Sequence, residues 1–215
     1  MIDPHSHILY GVDDGAESIS ESARMLQTAS ELGITMIMAT PHVRVYPYDV
    51  ETARERHREL IPIAKKNGIN LQLGFEVYWD SLYQMRPEEY PDFCFQRTST
   101  MLVEFSLQSE ALPQNHHDMI YKLQRAGVDI LIAHPERYQF VQKDPTLIER
   151  WQDMGCRLQL DANCLLSSFE SGSKKAARRF LKQNAYEFVA SDAHSAVDYE
   201  EFGRAVQWIR KNMVD

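Results

Sequence analysis

Cysteine is scarce in this sequence, and long apolar runs are absent from it. The three cysteines (Cys94, Cys156 and Cys164) are odd in number and show no paired spacing, which favours free thiols in a reducing compartment. No apolar run approaches the roughly 20 residues that a membrane-spanning helix needs. Residues 1–5 contain no basic region followed by an apolar stretch, so no signal peptide is expected. These absences predict a cytoplasmic protein without a membrane span.

An excess of basic residues is also absent. The 31 acidic residues outnumber the 23 lysines and arginines, which gives a formal net charge of −8. Proteins that bind nucleic acid usually carry a basic surface that neutralises phosphates. We therefore expect no nucleic-acid partner.

Several catalytic motifs are missing. The chain has neither a Gly-rich phosphate-binding loop nor the G-x-S-x-G motif of many hydrolases. A cysteine phosphatase needs an arginine six residues after its cysteine, but Thr100, Ala162 and Glu170 stand at those positions. The sequence therefore excludes that mechanism, and Cys156 and Cys164 are expected to be packing residues.

Short apolar strands alternate regularly with amphipathic helices. The predicted strands lie around residue 2 and over residues 35–39, 71–75, 101–105, 129–133, 157–160 and 187–190. The predicted helices span residues 18–32, 50–66, 115–126, 144–154, 174–183 and 199–211. Pro62 is expected to kink or split the second helix, and residues 80–99 are expected to form a short helix and a loop. Seven β-then-α units predict one α/β domain over residues 1–215, with parallel strands in either a closed barrel or an open sheet.

Five of the eight histidines directly follow a predicted strand, and four acidic residues occupy similar positions. These residues are His5, His7, His42, His134 and His194, with Asp14, Glu76, Glu104 and Asp192. Glu76 is predicted to end the third strand. In a βα barrel the C-terminal strand ends meet on one face, so all nine side chains would share one cleft, and this placement favours the barrel. His57, His116 and His117 lie in predicted helices and are interpreted as surface or structural residues.

Five imidazoles and four carboxylates in one cleft predict a metal site. Divalent cations neutralise the accumulated negative charge, and mixed nitrogen and oxygen ligands suit zinc, manganese or iron. Nine ligands exceed what one catalytic metal takes from a protein, so two or three metals are expected. Such clusters activate water and bind phosphoryl groups. The residues alone therefore predict a polynuclear metal-dependent hydrolase.

Seven segments, in chain order, resemble motifs of the PHP (polymerase and histidinol phosphatase) family. They read MIDPHSHIL, GVDDG, ATPH, GFEVY, LVEFS, IAHPERY and ASDAH, and begin at residues 1, 11, 39, 74, 102, 132 and 190. The resemblance covers nearly the whole chain. It is greatest to the tyrosine-protein phosphatases of bacterial capsule and exopolysaccharide gene clusters.

This resemblance implies a distorted (β/α)7 TIM-like barrel, the PHP fold, with three divalent metal ions. Manganese is the expected metal, with iron, zinc or magnesium as alternatives. One metal would be held by His5, His7, Glu76 and Asp192. A second would be held by Glu76, Glu104 and His134. The third would be held by Asp14, His42 and His194.

The resemblance also assigns the substrate-binding residues. Arg137 matches the family's catalytic, substrate-binding arginine. A second arginine usually follows the Asp-x-His motif, but residues 195–199 contain none, and Arg204 is the candidate substitute for substrate binding.

The implied function is hydrolysis of phosphotyrosine on the tail of a bacterial tyrosine kinase that regulates capsular or exopolysaccharide synthesis. Two alternatives stay open. One is a small-molecule phosphoesterase of the same family, similar to histidinol-phosphate phosphatases. The other is a non-catalytic module that binds the kinase tail, although a competent side chain at every ligand position argues against it.

Overall fold

The structure, a computed structural model that describes residues 1–166 and 171–213, alternates short strands with helices. Its strands are β1 (Ile2–Ser6), β2 (Met36–Ala39), β3 (His42–Val43), β4 (Asn70–Leu73), β5 (Glu76–Tyr78), β6 (Thr100–Glu104), β7 (Asp129–Ala133), β8 (Arg157–Asp161) and β9 (Phe188–Ala190). Its α-helices are α1 (Ile19–Glu31), α2 (Val50–Lys66), α3 (His116–Arg125), α4 (Gln139–Lys143), α5 (Leu147–Asp153), α6 (Gly172–Lys182) and α7 (Ala196–Met213). None of these helices is both long enough and apolar enough to cross a membrane.

The strands pair in parallel around a distorted barrel. One sheet has the order β1-β2-β4, and the other has the order β3-β5-β6-β7-β8-β9. β2 pairs with β4, and β3 pairs with β5. Two neighbouring strands of the barrel are therefore interrupted. One consists of β2 and β3, and the other consists of β4 and β5. A bridge between Ser6 and Ala193 joins the end of β1 to the segment after β9. The predicted (β/α)7 barrel is therefore confirmed, and its distortion lies in the two interrupted strands.

Both interruptions occur at residues that disfavour a continuous strand. Pro41, between β2 and β3, has no backbone N–H to donate to a neighbouring strand. Gly74, between β4 and β5, lies so close to Phe95 that an added Cβ would be 2.4 Å from the ring. The prediction that Glu76 ends the third strand is wrong, because the break at Gly74 makes Glu76 the first residue of β5. This offset turns Glu76 into the barrel, where it is fully buried.

Three other local predictions need correction. α2 continues through Pro62 as one helix, because the proline lies on the exposed face, where water can bind the freed backbone carbonyl. Residues 80–99 contain parts of two 3₁₀ helices, Trp79–Tyr83 and Pro87–Phe93. A short helix, α4, precedes the predicted helix of residues 144–154, which begins only at Leu147.

A buried carboxylate closes the barrel between its first and last strands. Asp3 accepts hydrogen bonds from the backbone N–H of Ser191 at 3.0 Å and from its hydroxyl at 2.7 Å. Tyr199, at the start of α7, also donates to Asp3, at 3.0 Å. These bonds satisfy a carboxylate that would be costly to bury alone. They hold β1 beside the segment that carries Asp192 and His194.

Aromatic packing fixes the ends of β6 and β7. Phe105, directly after β6, stacks with Trp79 and Trp151 at centroid distances of 4.3 and 5.4 Å. The Tyr138 hydroxyl accepts from the Phe105 N–H at 3.1 Å and donates to the Ala133 carbonyl at 2.7 Å. Full burial of a phenylalanine ring such as that of Phe105 stabilises the fold by roughly 1.5–3 kcal/mol. The neighbouring residues, Glu104 and His134, therefore project from rigid strand ends.

Candidate metal centre

All nine side chains predicted as metal ligands lie together at the C-terminal end of the barrel. We call this set the histidine–carboxylate cluster; it consists of His5, His7, Asp14, His42, Glu76, Glu104, His134, Asp192 and His194. Asp14 is its exposed member, and Asp192 and His194 are partly buried. The other six side chains are buried. Convergence of the strand ends thus brings together residues that are up to 189 positions apart in the sequence.

The first group of the cluster centres on two facing imidazoles. Nε2 of His5 and Nε2 of His7 are 3.1 Å apart. Each of these atoms is 3.2 Å from Oδ1 of Asp192. Oε2 of Glu76 lies 3.3 Å from the His5 nitrogen and 3.4 Å from the His7 nitrogen. Four donor side chains from three parts of the barrel therefore meet in one place.

The second group uses the other oxygen of Glu76. Oε1 of Glu76 is 3.0 Å from Nε2 of His134. Oε1 of Glu104 is 3.8 Å from the same nitrogen, and its Oε2 is 3.7 Å from Nδ1 of His42. Glu76 thus directs Oε1 to the second group and Oε2 to the first, and Oε2 is also 2.8 Å from Nδ1 of His42. A carboxylate placed in this way can bridge two cations.

The third group lies at the entrance of the cluster. Oδ1 of Asp14 is 3.3 Å from Nε2 of His42 and 3.6 Å from Nε2 of His194. The His194 ring also stacks on the His7 ring at a centroid distance of 4.0 Å. The three groups are therefore contiguous, and the third contains the most exposed members, Asp14 and His194.

Two residues that the sequence did not predict orient the histidines of the first group. Nδ1–H of His5 donates to Oε1 of Gln159 at 3.0 Å, and Nδ1–H of His7 donates to Oδ2 of Asp13 at 2.7 Å. Asp13 also accepts from the backbone N–H of Gly15, a glycine whose added Cβ would lie 2.0 Å from the His7 carbonyl oxygen. With Nδ1 protonated, each neutral imidazole presents its Nε2 lone pair to the cluster.

An unpaired buried oxygen shows that these donors fit a cation. Oε2 of Glu76 is fully buried and lies 2.8 Å from Nδ1 of His42, 3.3 Å from Nε2 of His5 and 3.4 Å from Nε2 of His7, but none of these described nitrogens makes a well-aligned hydrogen bond to it. A buried acceptor left without a partner costs about 1–3 kcal/mol. A divalent cation bound by imidazole nitrogens and carboxylate oxygens removes that cost.

The pKa values of the cluster show the same accumulation of negative charge. Burial and the nearby charges of Glu76 and Asp192 raise the pKa of Glu104 to about 8 in the absence of a cation. Burial and the positive charge of Arg137 lower the pKa of His134 to about 4, so this imidazole is neutral at pH 7. A neutral imidazole beside carboxylates that repel one another is suited to bind a cation.

Two members of the cluster have unusual backbone conformations. His134 has a φ of 31° and Asp192 has a φ of 48°, both in the left-handed region. Non-glycine residues in this region cost about 1–3 kcal/mol and concentrate at functional sites. His134 directly follows β7, and Asp192 lies two residues after the end of β9. Both residues belong to the candidate ligand groups.

Arg137 borders the first group. It lies in the 3₁₀ helix Pro135–Arg137. Its Nη1 donates a hydrogen bond to Oδ2 of Asp192 and lies 3.7 Å from Oδ2 of Asp161. Burial alone would lower the pKa of this guanidinium, but the charges of Asp192 and Asp161 raise it. Arg137 is therefore a fixed cation at the edge of the cluster.

Arg204 lies apart from the cluster. It is exposed on α7 and pairs with Glu201 at 3.3 Å. Within residues 1–166 and 171–213, no hydrogen bond or ion pair joins it to the cluster. The structure therefore does not bring this predicted substrate-binding residue to the other site residues.

The remaining histidines and cysteines have structural surroundings. His57 is buried and its Nε2 bonds to the Leu71 carbonyl at 3.1 Å, while the buried His116 bonds to the Pro113 carbonyl at 2.8 Å. His117 is exposed. The three cysteines are unpaired, and burial raises the pKa of the Cys156 thiol to about 12. A thiol with so high a pKa is a poor nucleophile.

Comparison with known families matches residues 1–214 to the capsular polysaccharide synthesis family CpsB/CapC. The chain belongs to the CpsB/CapC family. Relatives include the tyrosine-protein phosphatase YwqE of Bacillus subtilis, 31% identical over 205 residues that cover 91% of this chain and 78% of YwqE. The tyrosine-protein phosphatase CpsB of Streptococcus pneumoniae is 31% identical over 206 residues, which cover 91% of this chain and 83% of CpsB. The resemblance seen in the sequence motifs is confirmed.

A solved structure agrees with this CpsB/CapC assignment, and a second one shares the fold. One structure, from the metal-dependent tyrosine phosphatases YwqE of B. subtilis and CpsB of S. pneumoniae, matches with a TM-score of 0.83 and 27% identity. The match covers 100% of this chain and 88% of that one. The lactonase Lmo2620 of Listeria monocytogenes, at 13% identity and a TM-score of 0.56, shares the fold over 98% of this chain and 84% of its own.

Proposed function

We propose that this chain, as one domain over residues 1–215, is a metal-dependent protein-tyrosine phosphatase that acts in capsular or exopolysaccharide synthesis. The observation that carries the proposal is the convergence of five imidazoles and four carboxylates in one cluster. The chain's CpsB/CapC relatives are named tyrosine-protein phosphatases, and the solved structure with the TM-score of 0.83 is described as metal-dependent. Cluster and family therefore support the same reaction class.

The proposed cofactor is a set of three divalent cations, with manganese as the first candidate. The three groups described above would hold one cation each, and Glu76 would be shared between the first and second groups. When bound, such cations polarise a phosphoryl group and make water a stronger nucleophile near neutral pH. The unpaired Oε2 of Glu76 and the two Nε2 lone pairs of the first group support this assignment.

Arg137 has the proposed role of binding the phosphoryl oxygens. Its guanidinium is planar, permanently charged and able to donate two parallel hydrogen bonds to one phosphoryl group. Contacts with Asp192 and Asp161 hold it at the edge of the cluster before substrate arrives. It would therefore stabilise the negative charge of the transferred group at little entropic cost.

The leaving group of phosphotyrosine suits a site without an obvious general acid. The phenolic hydroxyl of tyrosine has a pKa near ~10, so tyrosinate leaves more readily than an aliphatic alkoxide. The proposed physiological substrate is the phosphotyrosine tail of a bacterial tyrosine kinase. A cytoplasmic location follows from that partner and agrees with the three unpaired cysteines.

A substrate panel tests the proposal. The manganese-loaded protein would be assayed with phosphotyrosine peptides, phosphoserine peptides, and sugar and amino-alcohol phosphates. Preferential release of phosphate from the phosphotyrosine peptides is expected. Faster turnover of the amino-alcohol phosphate would favour a small-molecule phosphoesterase. Chelator-insensitive peptide binding without turnover would favour a binding module.

A further inference from the structure

Arg44 is the second guanidinium at the cluster. It follows β3 directly and comes two residues after His42. Its Nη1 donates to Oδ2 of Asp14 at 2.9 Å, and its Nη2 is 2.7 Å from Nε2 of His42. Within the part of the chain that the structure describes, Arg44 and Arg137 are the two arginines that hydrogen-bond members of the cluster. Arg44 contacts the third group of the cluster, and Arg137 contacts the first.

The contact between Arg44 and His42 competes with a cation. Nε2 of His42 has one lone pair, which either accepts from Arg44 or binds a metal, but not both at once. The Arg44 side chain is 53% exposed, so a guanidinium released from His42 has room to turn toward a ligand at the entrance. Its contact with Oδ2 of Asp14 leaves Oδ1, the oxygen nearest His42, available to the third group.

A cavity adjoins Arg44 on the solvent side of the cluster. It has a volume of about 440 Å³ and is lined by Arg44, Tyr78, Glu104, Ser106, Leu107 and Gln108. Glu104 belongs to the second group, so the cavity borders the cluster at this residue. Tyr78 and Leu107 supply an aromatic and an aliphatic wall. The volume is in the range of small-molecule binding sites and is sufficient for a phenyl ring with a phosphoryl group.

We propose that Arg44 binds the phosphoryl group of an aryl phosphate whose ring lies in this cavity against Tyr78 and Leu107. The inference rests on the proposed phosphatase function. Two guanidinium groups, Arg44 and Arg137, would then contact one phosphoryl group from two sides of the cluster. The apolar walls select an aromatic ring over a polar sugar or amino alcohol, because only the ring gains by leaving water.

Binding of unreactive phosphonates tests this proposal without relying on turnover. Manganese-loaded protein would be titrated calorimetrically with phenylphosphonate and with methylphosphonate, which lacks the ring. Arg44→Gln should weaken binding of both compounds about ten-fold or more, because a charged hydrogen bond is lost. Leu107→Ala should weaken binding of phenylphosphonate several-fold and leave that of methylphosphonate unchanged. Arg44→Lys should recover part of the affinity. Arg54→Gln removes a partly exposed arginine paired with Glu51 and Asp92 and is the matched control.

Three outcomes would overturn the inference. The first is wild-type phosphonate affinity in Arg44→Gln with its metals retained. The second is a loss of manganese from Arg44→Gln, which would make Arg44 a support for Asp14 and His42 instead. The third is equal weakening of both phosphonates by Leu107→Ala, which would place the ring elsewhere. Phosphotyrosine hydrolysis by the wild-type protein is measured separately, so a failure of the phosphatase assignment is distinguished from a failure of Arg44.

Discussion

The Nε2 atoms of His5 and His7 lie 3.1 Å apart and face Asp192 and Glu76 inside the barrel. Each ring has its Nδ1 engaged by a hydrogen bond, to Gln159 or to Asp13. The two lone pairs therefore point at one another and at carboxylate oxygens. Such an arrangement is unfavourable unless a proton or a cation lies among these atoms. Protons and metal ions are therefore expected to compete for the Nε2 atoms of His5 and His7.

Metal binding should release protons at neutral pH. Without a cation, burial would lower the pKa of His5, but the charges of Glu76 and Asp192 raise it to about 9. Because this value exceeds the ordinary value of 6.5, protonated His5 stabilises the metal-free fold fully below pH 6.5, and that contribution is lost as pH rises through about 9. Manganese must displace this proton at pH 7, so its affinity should increase as pH rises. Calorimetry in buffers of different ionisation enthalpy measures the release, and a value of zero at pH 7 would refute the prediction.

Asp13→Asn should weaken metal binding while the fold is retained. Burial alone would raise the pKa of Asp13, but its hydrogen bond and charge interaction with His7 lower it to about 2. The ionised carboxylate therefore fixes the tautomer of His7 and increases its basicity. Loss of such a partner typically costs 10–100-fold in metal affinity. A manganese competition titration measures the change, with the exposed Asp80→Asn as control. Equal affinities in the two variants would show that Asp13 does not support the site.

Arg137→Ala should keep the metals and lose activity. The side chain contacts Asp192 and Asp161 but is not itself a ligand. Removal of one charged donor to a developing anion commonly reduces kcat about 10²–10³-fold. Elemental analysis and steady-state kinetics on the same preparation separate the two effects. Arg150→Ala, which removes an exposed arginine paired with Asp144, is the control. Unchanged turnover in Arg137→Ala would remove this residue from the mechanism.

Tyr199→Phe should destabilise the barrel closure. The Tyr199 hydroxyl lies 3.0 Å from the buried Asp3 carboxylate and 2.9 Å from the Ser6 hydroxyl. Its loss leaves buried polar atoms with fewer partners, at a cost of about 1–3 kcal/mol in the free energy of unfolding. Urea denaturation measures this change, with the exposed Tyr121→Phe as the reference variant. A stability equal to that of Tyr121→Phe would show that these bonds are not needed for closure.

Much of the barrel could be predicted because its signal is local. Helices such as α1 and α3 follow amphipathic periodicity and end at glycines, so their bounds differ from the prediction by about one residue. The breaks at Pro41 and Gly74 could not be predicted in the same way. Gly74 is required by the ring of Phe95, a contact between residues 21 positions apart. A contact of this kind is not visible from the residues adjacent to Gly74 in the chain.

The cluster could be predicted because barrel topology sends strand ends to one face. The residues that orient its members left weaker signals. Gln159 and Asp161 alternate with the apolar Leu158 and Leu160 in the buried part of strand β8, which is the pattern of side chains that point into a site. Asp13 is adjacent to the predicted ligand Asp14, and Arg44 comes two residues after the predicted ligand His42. None of these positions is notable until the strands are assembled in three dimensions.

The most direct test of a metal-dependent tyrosine phosphatase is phosphate release from a phosphotyrosine peptide before and after removal of the metals. The metal-loaded protein should hydrolyse the peptide, the chelator-treated protein should not, and added manganese should restore the rate. Asp192→Ala, which removes a carboxylate within 3.2 Å of both His5 and His7, should lose metal and activity together. Full activity in the metal-free protein, or no phosphate release from the fully loaded protein, would contradict the assignment.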